Sequence, residues 1–586
     1  MPNFPAFSST KSVEKYFVLL WMAFCFLLLI YKLGEVPPYH ADENFYVESS
    51  LRMVESGDFI TPIYHGKKRY AKPILYYWMV ASSYKMFGFS LASARIPSVL
   101  FGTLSVGLVF LLGCRLFDTR VGLFSAFILP SIYLHFQISR WSTTDMTLSF
   151  FVLLSMYFFV KFDETKIRKK YYAYLFYISL GFGFMVKGPP AVLIPGFTVL
   201  GYLLITKKIK SFKDLYPVQG SIILAIIILP WFCTMFWMHG EDFKNHIIGN
   251  EIKNRFVNKT PLSFYYAGVL FRYQFPWALF FLFATLNQFS FFGFSIIGSS
   301  GFIEKLKEFF GNITGHRRSL LNEVNFPQAF CYLWIGICLV LFTIFRVQHS
   351  RYMLPCCPAF AILTAKMFAD QEKNSLKSKV FGFNFSVFMT AFLFLCFSIL
   401  SGIGILIFDW NQPEIIMLPA FLLIGVFFLI RFHRIKSFCK MVFSIAMTVS
   451  LSFAILSGDI LPLINRYPMK KFADHINQEN IKGPIAIYKL GSHRARLGVL
   501  TGRTVITLRS NLEVDKFLSA NQKAYMVIKK KDWDENFLSL KMKIIMMDDI
   551  QVKTQIQKKE IYKVFNLEKL KKLLNSRETL YFMSSN

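Results

Sequence analysis

The chain has 586 residues, 54 % hydrophobic and 18 % aromatic, and its 66 Lys and Arg against 35 Asp and Glu leave a formal charge of +31. Apolar runs of near-membrane length recur from residue 16 to about 460, which excludes a soluble globular chain. The basic residues lie between those runs, so the charge points to cytoplasmic loops or an anionic lipid surface rather than to nucleic acid.

The first run, YFVLLWMAFCFLLLIY (16–31), lacks a small-residue cleavage site and continues into LGEVPPYHADE. It is therefore expected to remain as a span, not to be removed as a signal peptide. Thirteen spans are expected, near 16–33, 93–113, 121–137, 143–161, 171–186, 189–205, 218–238, 270–299, 327–345, 352–369, 381–408, 415–431 and 439–460. Alternate connections are basic: CRLFDTR (114–120), KFDETKIRKK (161–170), TKKIKSFK (206–213), the 300–326 loop, QEKNSLKSK (371–379) and RFHRIKSFCK (431–440). The positive-inside rule makes these connections and the N-terminus cytoplasmic. The C-terminus and the connections 34–92, 138–142, 187–188, 239–269, 346–351 and 409–414 are then extracytoplasmic.

The first far-side loop, YHADENFYVESSLRMVESGDF (39–59), gathers Asp42, Glu43, Glu48, Glu55 and Asp58 within 17 residues. It reads as a helix that starts near Asp42 and ends at Gly57. Asp42 is either the N-cap of that helix or, with Glu43, a carboxylate that holds a hydroxyl or acts as base. Glu48 and Arg52 are spaced i, i+4 and read as a structural pair. YHGKKRYAKPILYYW (64–78) is basic and aromatic, with Lys72 before Pro73 at the foot of an apolar stretch. That lysine either snorkels to headgroups or clamps a phosphate.

Further along, QISRWSTTD (137–145) puts Asp145 at the mouth of a span, and FMVKGPP (184–190) leaves Lys187 in a tight connection between apolar helices. HGEDFKNHIIGNEIKNRF (239–256) reads as a polar interfacial helix, and FRVQHSRYMLPCCPAF (345–360) places His349, Arg351 and Tyr352 at the start of a span. Ionisable groups at a membrane edge are costly and usually have partners or functions. Tyr352 has an ordinary alternative as an interfacial aromatic.

From about 461 the pattern changes to short β-like runs, at 484–490, 504–508, 524–528, 543–547 and 560–565, with polar helix-like pieces between them. This predicts a small α/β domain over 461–586, following a transmembrane domain over 1–460. From Arg466 onward 24 Lys and Arg face 12 Asp and Glu, which suits an anionic lipid surface or simple solubility. The nine cysteines lie almost entirely in or beside apolar runs and show no disulfide or zinc spacing. P-loop, GxGxxG, HExxH and GxSxG motifs are missing from any credible context, which removes support for ATP-driven transport and Ser-triad hydrolysis.

Four pieces in this order, ADENFYVESSLRMVESGDFITPIYHGKKRYAKPILYYWMVASSYKMFG, RWSTTDMTLSFF, GFMVKGPPAVLIPG and SRYMLPCCPAFAIL, resemble the bacterial polyprenyl-phosphate-sugar glycosyltransferases. The nearest branch is the lipid A aminoarabinose transferases (ArnT), which are related to protein O-mannosyltransferases. The resemblance covers about 16–460. It implies a GT-C fold, an α-helical polytopic membrane protein of about 13 transmembrane helices with a small C-terminal α/β periplasmic domain. It implies transfer of a sugar, by analogy an amino sugar, from undecaprenyl phosphate to lipid A phosphate at the periplasmic face of the bacterial inner membrane. That is a lipopolysaccharide modification of the kind linked to polymyxin resistance. By motif, Asp42 becomes the principal catalytic carboxylate, with Glu43 and Asp145 beside it. Lys72 becomes the carrier-phosphate ligand, with Lys187, Arg351 and Tyr352 in the same cavity. No cofactor is implied and no metal site is assigned. Ala71 stands where the family often has an acidic residue, which leaves metal ligation unsupported, and Phe45 stands where it often has Arg. Alternatives from other classes are transfer to protein or to another glycan, and a flippase or transporter of lipid-linked sugars. A transporter usually shows internal repeats and midplane sites. Here no repeat is visible and the charges gather at one face.

Overall fold

The computed structural model describes residues 12–36, 38, 41–165, 167–247, 249, 264–291, 326–344, 348–373, 382–408, 410–464, 468–490, 493–538, 540, 542–551 and 577–585. They fall into two compact units. The first comprises residues up to Ile30, Tyr70–Tyr76 and Pro97–Ala454; the second comprises Tyr31–Arg69, Tyr77–Ile96 and residues from Ile455 onward. The second unit thus holds more than the 461–586 domain expected from the change in composition.

The first unit is a helical membrane domain. With no water to satisfy peptide groups in lipid, apolar runs of this length close their hydrogen bonds internally as helices. They include α1 (Ser12–Ile30), the start of the chain's described part, and α4 (Leu91–Leu116), which crosses from the second unit into the first. Among the described residues eight helices are long and apolar enough to cross a membrane, or nine if one bent pair is a single span. That pair corrects the span expected at 121–137: Thr119–Ser131 and Tyr133–Ser139 meet at 63°. The run expected at 270–299 is also broken, into Tyr265–Arg272 and Ala278–Phe291, while 292–325 and most of the 371–379 loop lie outside the described residues.

Close helix approach depends on small residues, as lipid-embedded packing requires. A Cβ on Gly113 would stand 2.9 Å from the Gly122 Cα. The helices α7 (Thr144–Glu164) and α8 (Lys169–Lys187) form a hairpin, and α8 ends at Gly188, whose φ of 81° suits glycine. The Gly188 N–H donates to the Phe184 carbonyl at 2.7 Å, and Pro190 starts α9 (Pro190–Ile205). In α10 (Pro217–Asn245) the backbone breaks at Gly240, where the apolar run gives way to the polar segment. The remainder of that segment, 250–263, lies outside the described residues. Six of the nine cysteines are buried and all nine are free, consistent with packing roles.

The second unit contains α2 (Ala41–Ser56), the hairpin β1 (Ile63–Tyr64) and β2 (Lys67–Lys68), most of α3 (Leu75–Phe87) and the C-terminal sheet domain. Gly57 ends α2 as expected, with φ 75° and its N–H on the Met53 carbonyl at 3.0 Å. The sheet has five strands in the order β4-β3-β5-β7-β6: β3 (Ile485–Tyr488), β4 (Val505–Leu508), β5 (Tyr525–Lys529), β6 (Met542–Gln551) and β7 (Arg577–Ser585). β3 runs parallel to β4 and β5, while β7 is antiparallel to β5 and β6. Alternation along β3 feeds two cores. Ile485 and Ile487 join Phe472, Leu497 and Phe582 on one face, and Ala486 and Tyr488 join Val514, Phe517 and Trp533 on the other. Four of the expected runs are strands. The fifth, 560–565, lies outside the described residues, and the sequence reading passed over β7, which sits between β5 and β6. In the same unit Lys32 reaches Asp459 at 2.5 Å.

Candidate functional site

In the first unit three segments far apart in sequence bring four of the expected site residues together. Asp145 lies in the first turn of α7, Lys187 is the last residue of α8, and Arg351 and Tyr352 lie in the 3-10 turn Ser350–Cys356. Lys187 Nζ donates to Asp145 Oδ1. Arg351 Nε approaches the other carboxylate oxygen at 3.5 Å, and Lys187 Nζ sits 4.7 Å from the centre of the Tyr352 ring. The side chains of Lys187, Arg351 and Asp145 are only 10 %, 8 % and 5 % exposed. Charges this deeply buried persist only when paired and hydrogen-bonded. Tyr352 in turn packs on Phe342 and His349.

Lys72, also in the first unit, is half-buried and donates to the Ala71 carbonyl at 2.8 Å. Its neighbour Tyr70 is buried and packs on His239, Phe243 and His246 at the end of α10, at 5.6, 5.4 and 5.7 Å between ring centres. Burial, and then the Asp242 charge, pushes the Tyr70 phenol up. Phe232, Cys233, Phe236, Trp237 and Phe243 line an apolar hollow of about 590 Å³ on the same helix.

In the second unit Asp42 is the second residue of α2, half-buried, inside the first turn rather than at the cap position. A carboxylate there is stabilised by the exposed N–H groups of the turn. Glu43 is fully buried and engaged. Arg95 Nε and Nη2 donate to its two oxygens at 2.6 and 2.9 Å, while Arg95 Nη1 donates to the carbonyls of Leu33 and Val36 at 2.6 and 2.7 Å. Arg95 was not singled out in the sequence, although an arginine inside the apolar run LASARIPSVLFG was the available signal.

The expected Glu48–Arg52 pair is corrected. Arg52 binds Glu55 at 2.5 Å, and Glu48 instead accepts from the His65 N–H at 2.9 Å and lies 3.1 Å from His65 Nδ1. The hairpin turn brings His65 within reach, and that proximity is invisible to helical spacing. Among the described residues no three His, Cys, Asp or Glu side chains are grouped to hold a metal ion.

The full chain superimposes on the crystal structure of ArnT from Cupriavidus metallidurans in the apo state with a TM-score of 0.71, at 16 % identity, covering 97 % of this chain and 98 % of that one. The chain has the ArnT fold. The same ArnT bound to undecaprenyl phosphate matches with a TM-score of 0.69 over the same shares of both chains. Residues 71–233 match the family model described as dolichyl-phosphate-mannose-protein mannosyltransferase. An uncharacterized protein of Aquifex aeolicus is 26 % identical over 493 residues, 84 % of this chain and 87 % of that protein. The undecaprenyl phosphate-alpha-4-amino-4-deoxy-L-arabinose arabinosyl transferase of Serratia proteamaculans is 26 % identical over 384 residues, and the chain spans 63 % of its length. The expected polytopic GT-C architecture with a small C-terminal sheet domain is therefore correct.

Proposed function

We propose that the protein is a glycosyltransferase that moves a sugar, an amino sugar by analogy, from undecaprenyl phosphate to a phosphate of lipid A. The reaction runs at the periplasmic face of the inner membrane, with the N-terminus cytoplasmic and the 461–586 domain periplasmic. The observation that carries this reading is the buried cluster in which Lys187 and Arg351 share the Asp145 carboxylate beside Tyr352. Two cations around one buried carboxylate suit the binding of a phosphate, and the ArnT fold and the names of the arabinosyl transferase relatives support the reaction class.

The chemistry sets the roles. An oxygen of the acceptor phosphate bonds to the anomeric carbon as the bond from that carbon to the donor phosphate breaks. The polyprenyl phosphate leaves with the electron pair and passes from a diester to a monoester with added negative charge. A phosphate acceptor is already ionised near neutral pH, so no strong base is required. Stabilising the departing phosphate is the larger task, and a cation that meets the added charge favours the transition state over the ground state. Lys72 takes that role, with Lys187 and Arg351 as further phosphate ligands, Asp145 holding both in place and Tyr352 covering Lys187. Asp42 is the catalytic carboxylate that orients the acceptor. Glu43, committed to Arg95, anchors α2 instead of entering the chemistry.

The test is mass spectrometry of lipid A from cells with and without the gene, together with transfer by the purified protein from an undecaprenyl-phosphate amino sugar. Sugar-modified lipid A that disappears with the gene is expected; unchanged lipid A overturns the proposal. A protein acceptor is the second reading, favoured by the match over 71–233, and sugar on protein but not on lipid A would establish it.

A further inference from the structure

We infer that Arg69, carried by the β1–β2 hairpin against α2, is a binding site for a phosphate monoester, the phosphate of the acceptor. This inference deepens the proposed function and rests on it for the acceptor's identity.

The hairpin is held rigidly. His65 and Gly66 have φ of 51° and 72°, the positive pair of a tight hairpin turn. The buried Glu48 ties that turn to α2 by accepting from the His65 N–H, and the Arg69 N–H donates to the Pro62 carbonyl at 2.8 Å. Arg69 is then oriented from two sides. Its guanidinium carbon lies 3.7 Å from the centre of the Phe45 ring, and its Nε donates to the Tyr77 hydroxyl at 3.2 Å. Phe45 is braced edge-on by Tyr64 at 4.7 Å, and Tyr77, fully buried, packs on Tyr46 at 5.1 Å.

Among the described residues no carboxylate pairs with Arg69. A guanidinium that is half-buried, held over an aromatic ring and bonded through Nε keeps its terminal N–H groups available in a fixed fork. That fork matches two phosphate oxygens. The location supplies the rest. Phe45 follows Asp42 by three residues on α2, so the two share a face about 4.5 Å apart along the axis. Lys67 and Lys68 on β2 are exposed and add positive potential around the fork. An acceptor phosphate carrying close to two negative charges has to come up to the Asp42 carboxylate, and a bidentate cation one turn away offsets that repulsion.

The test uses the full chain in phosphatidylcholine nanodiscs, with an undecaprenyl-phosphate amino sugar as donor. Arg69→Gln should raise the KM for lipid A by about 10- to 100-fold, with the donor KM unchanged and kcat at saturating acceptor within about threefold. Arg69→Lys, which keeps the charge but loses the fork, should recover only part of the loss, and Phe45→Leu should raise the acceptor KM less. If Arg69→Gln is not recovered folded, these two variants carry the test. Direct binding of lipid A, with its phosphates and after their enzymatic removal, separates the two proposals. Binding that needs both Arg69 and the phosphates, in a protein that transfers no sugar to lipid A, keeps the site and overturns the activity. Transfer by the wild type with an acceptor KM that Arg69→Gln leaves unmoved overturns the site alone. Equal binding of phosphorylated and dephosphorylated lipid A, or a rise confined to the donor KM, also overturns it.

Discussion

Arg95→Met is the sharpest test of how the Asp42 segment is held. The substitution keeps much of the side-chain length and removes four hydrogen bonds, two to Glu43 and one each to the Leu33 and Val36 carbonyls. Both Arg95 and Glu43 are 1 % exposed, so the stranded carboxylate cannot turn to water. Breaking such a pair on one side costs about 3–5 kcal/mol. Two carbonyls losing a charged donor add about 1 kcal/mol or more each. The total, about 5–7 kcal/mol, rivals the whole stability of many proteins. The variant should therefore lose monodispersity at a much lower temperature than the wild type in fluorescence-detected size exclusion. Glu43→Gln in the Arg95→Met background removes the stranded charge and should recover about half the loss. Glu43→Gln alone should keep kcat within about threefold of wild type once folded protein is compared. Arg95→Met as heat-resistant as the wild type, or folded Glu43→Gln with kcat down a hundredfold or more, would refute the assignment of Glu43 to the scaffold.

Asp42→Asn keeps size and most hydrogen bonding while removing the charge. It should lower transfer by about 10²–10⁴-fold with the protein still inserted, and wild-type turnover would reduce Asp42 to a helix-end residue. Lys72→Ala should slow single-turnover transfer at saturating donor by about a hundredfold, with Lys72→Arg a partial rescue; an effect on donor affinity alone would move the leaving-group role to Lys187 or Arg351. Lys187→Met should destabilise the membrane unit more than the double variant Lys187→Met with Asp145→Asn, because the single change leaves the buried carboxylate with less compensation; additive losses in a thermal-shift series would contradict the coupling. Burial pushes the Asp118 carboxyl up, but Lys373 at 2.6 Å and the N–H groups of Val121 and Arg120 outweigh it, so its pKa is lowered in the fold. A lowered carboxyl stabilises above its unfolded pKa and loses that contribution as pH falls through the folded one, so Asp118→Asn should flatten the acid limb of a stability profile below about pH 4.

Much of the architecture was legible before the fold. Apolar runs of membrane length must become helices because peptide groups in lipid have no other partners. The strands β3, β4 and β5 were readable because each is a short β-branched run closed by polar turns. β7 was passed over because its place between β5 and β6 comes from pairing with residues about 30 to 60 positions earlier, which no local pattern encodes. The bend of 63° within 119–139 was hidden for a similar reason, since composition measures length and apolarity but not direction.

The division between sequence and tertiary structure is clearest at the charged residues. By itself the sequence marked which ionisable groups adjoin apolar runs, because an isolated charge beside twenty apolar residues is costly wherever the chain later folds. It thereby picked out Asp42, Glu43, Lys72, Asp145, Lys187 and Arg351. It could not decide their partners. Glu43 and Arg95 are 52 residues apart, Asp145 and Lys187 are 42 apart, and Arg351 comes from a third segment. Only tertiary packing paired them, and in doing so it gave two neighbouring acids different work: Glu43 is buried against Arg95, while Asp42, one residue earlier, stays half-exposed on the adjacent face of the same helical turn. A 100° step around a helix separates those two environments, and which face meets the core is decided by what the rest of the chain brings there.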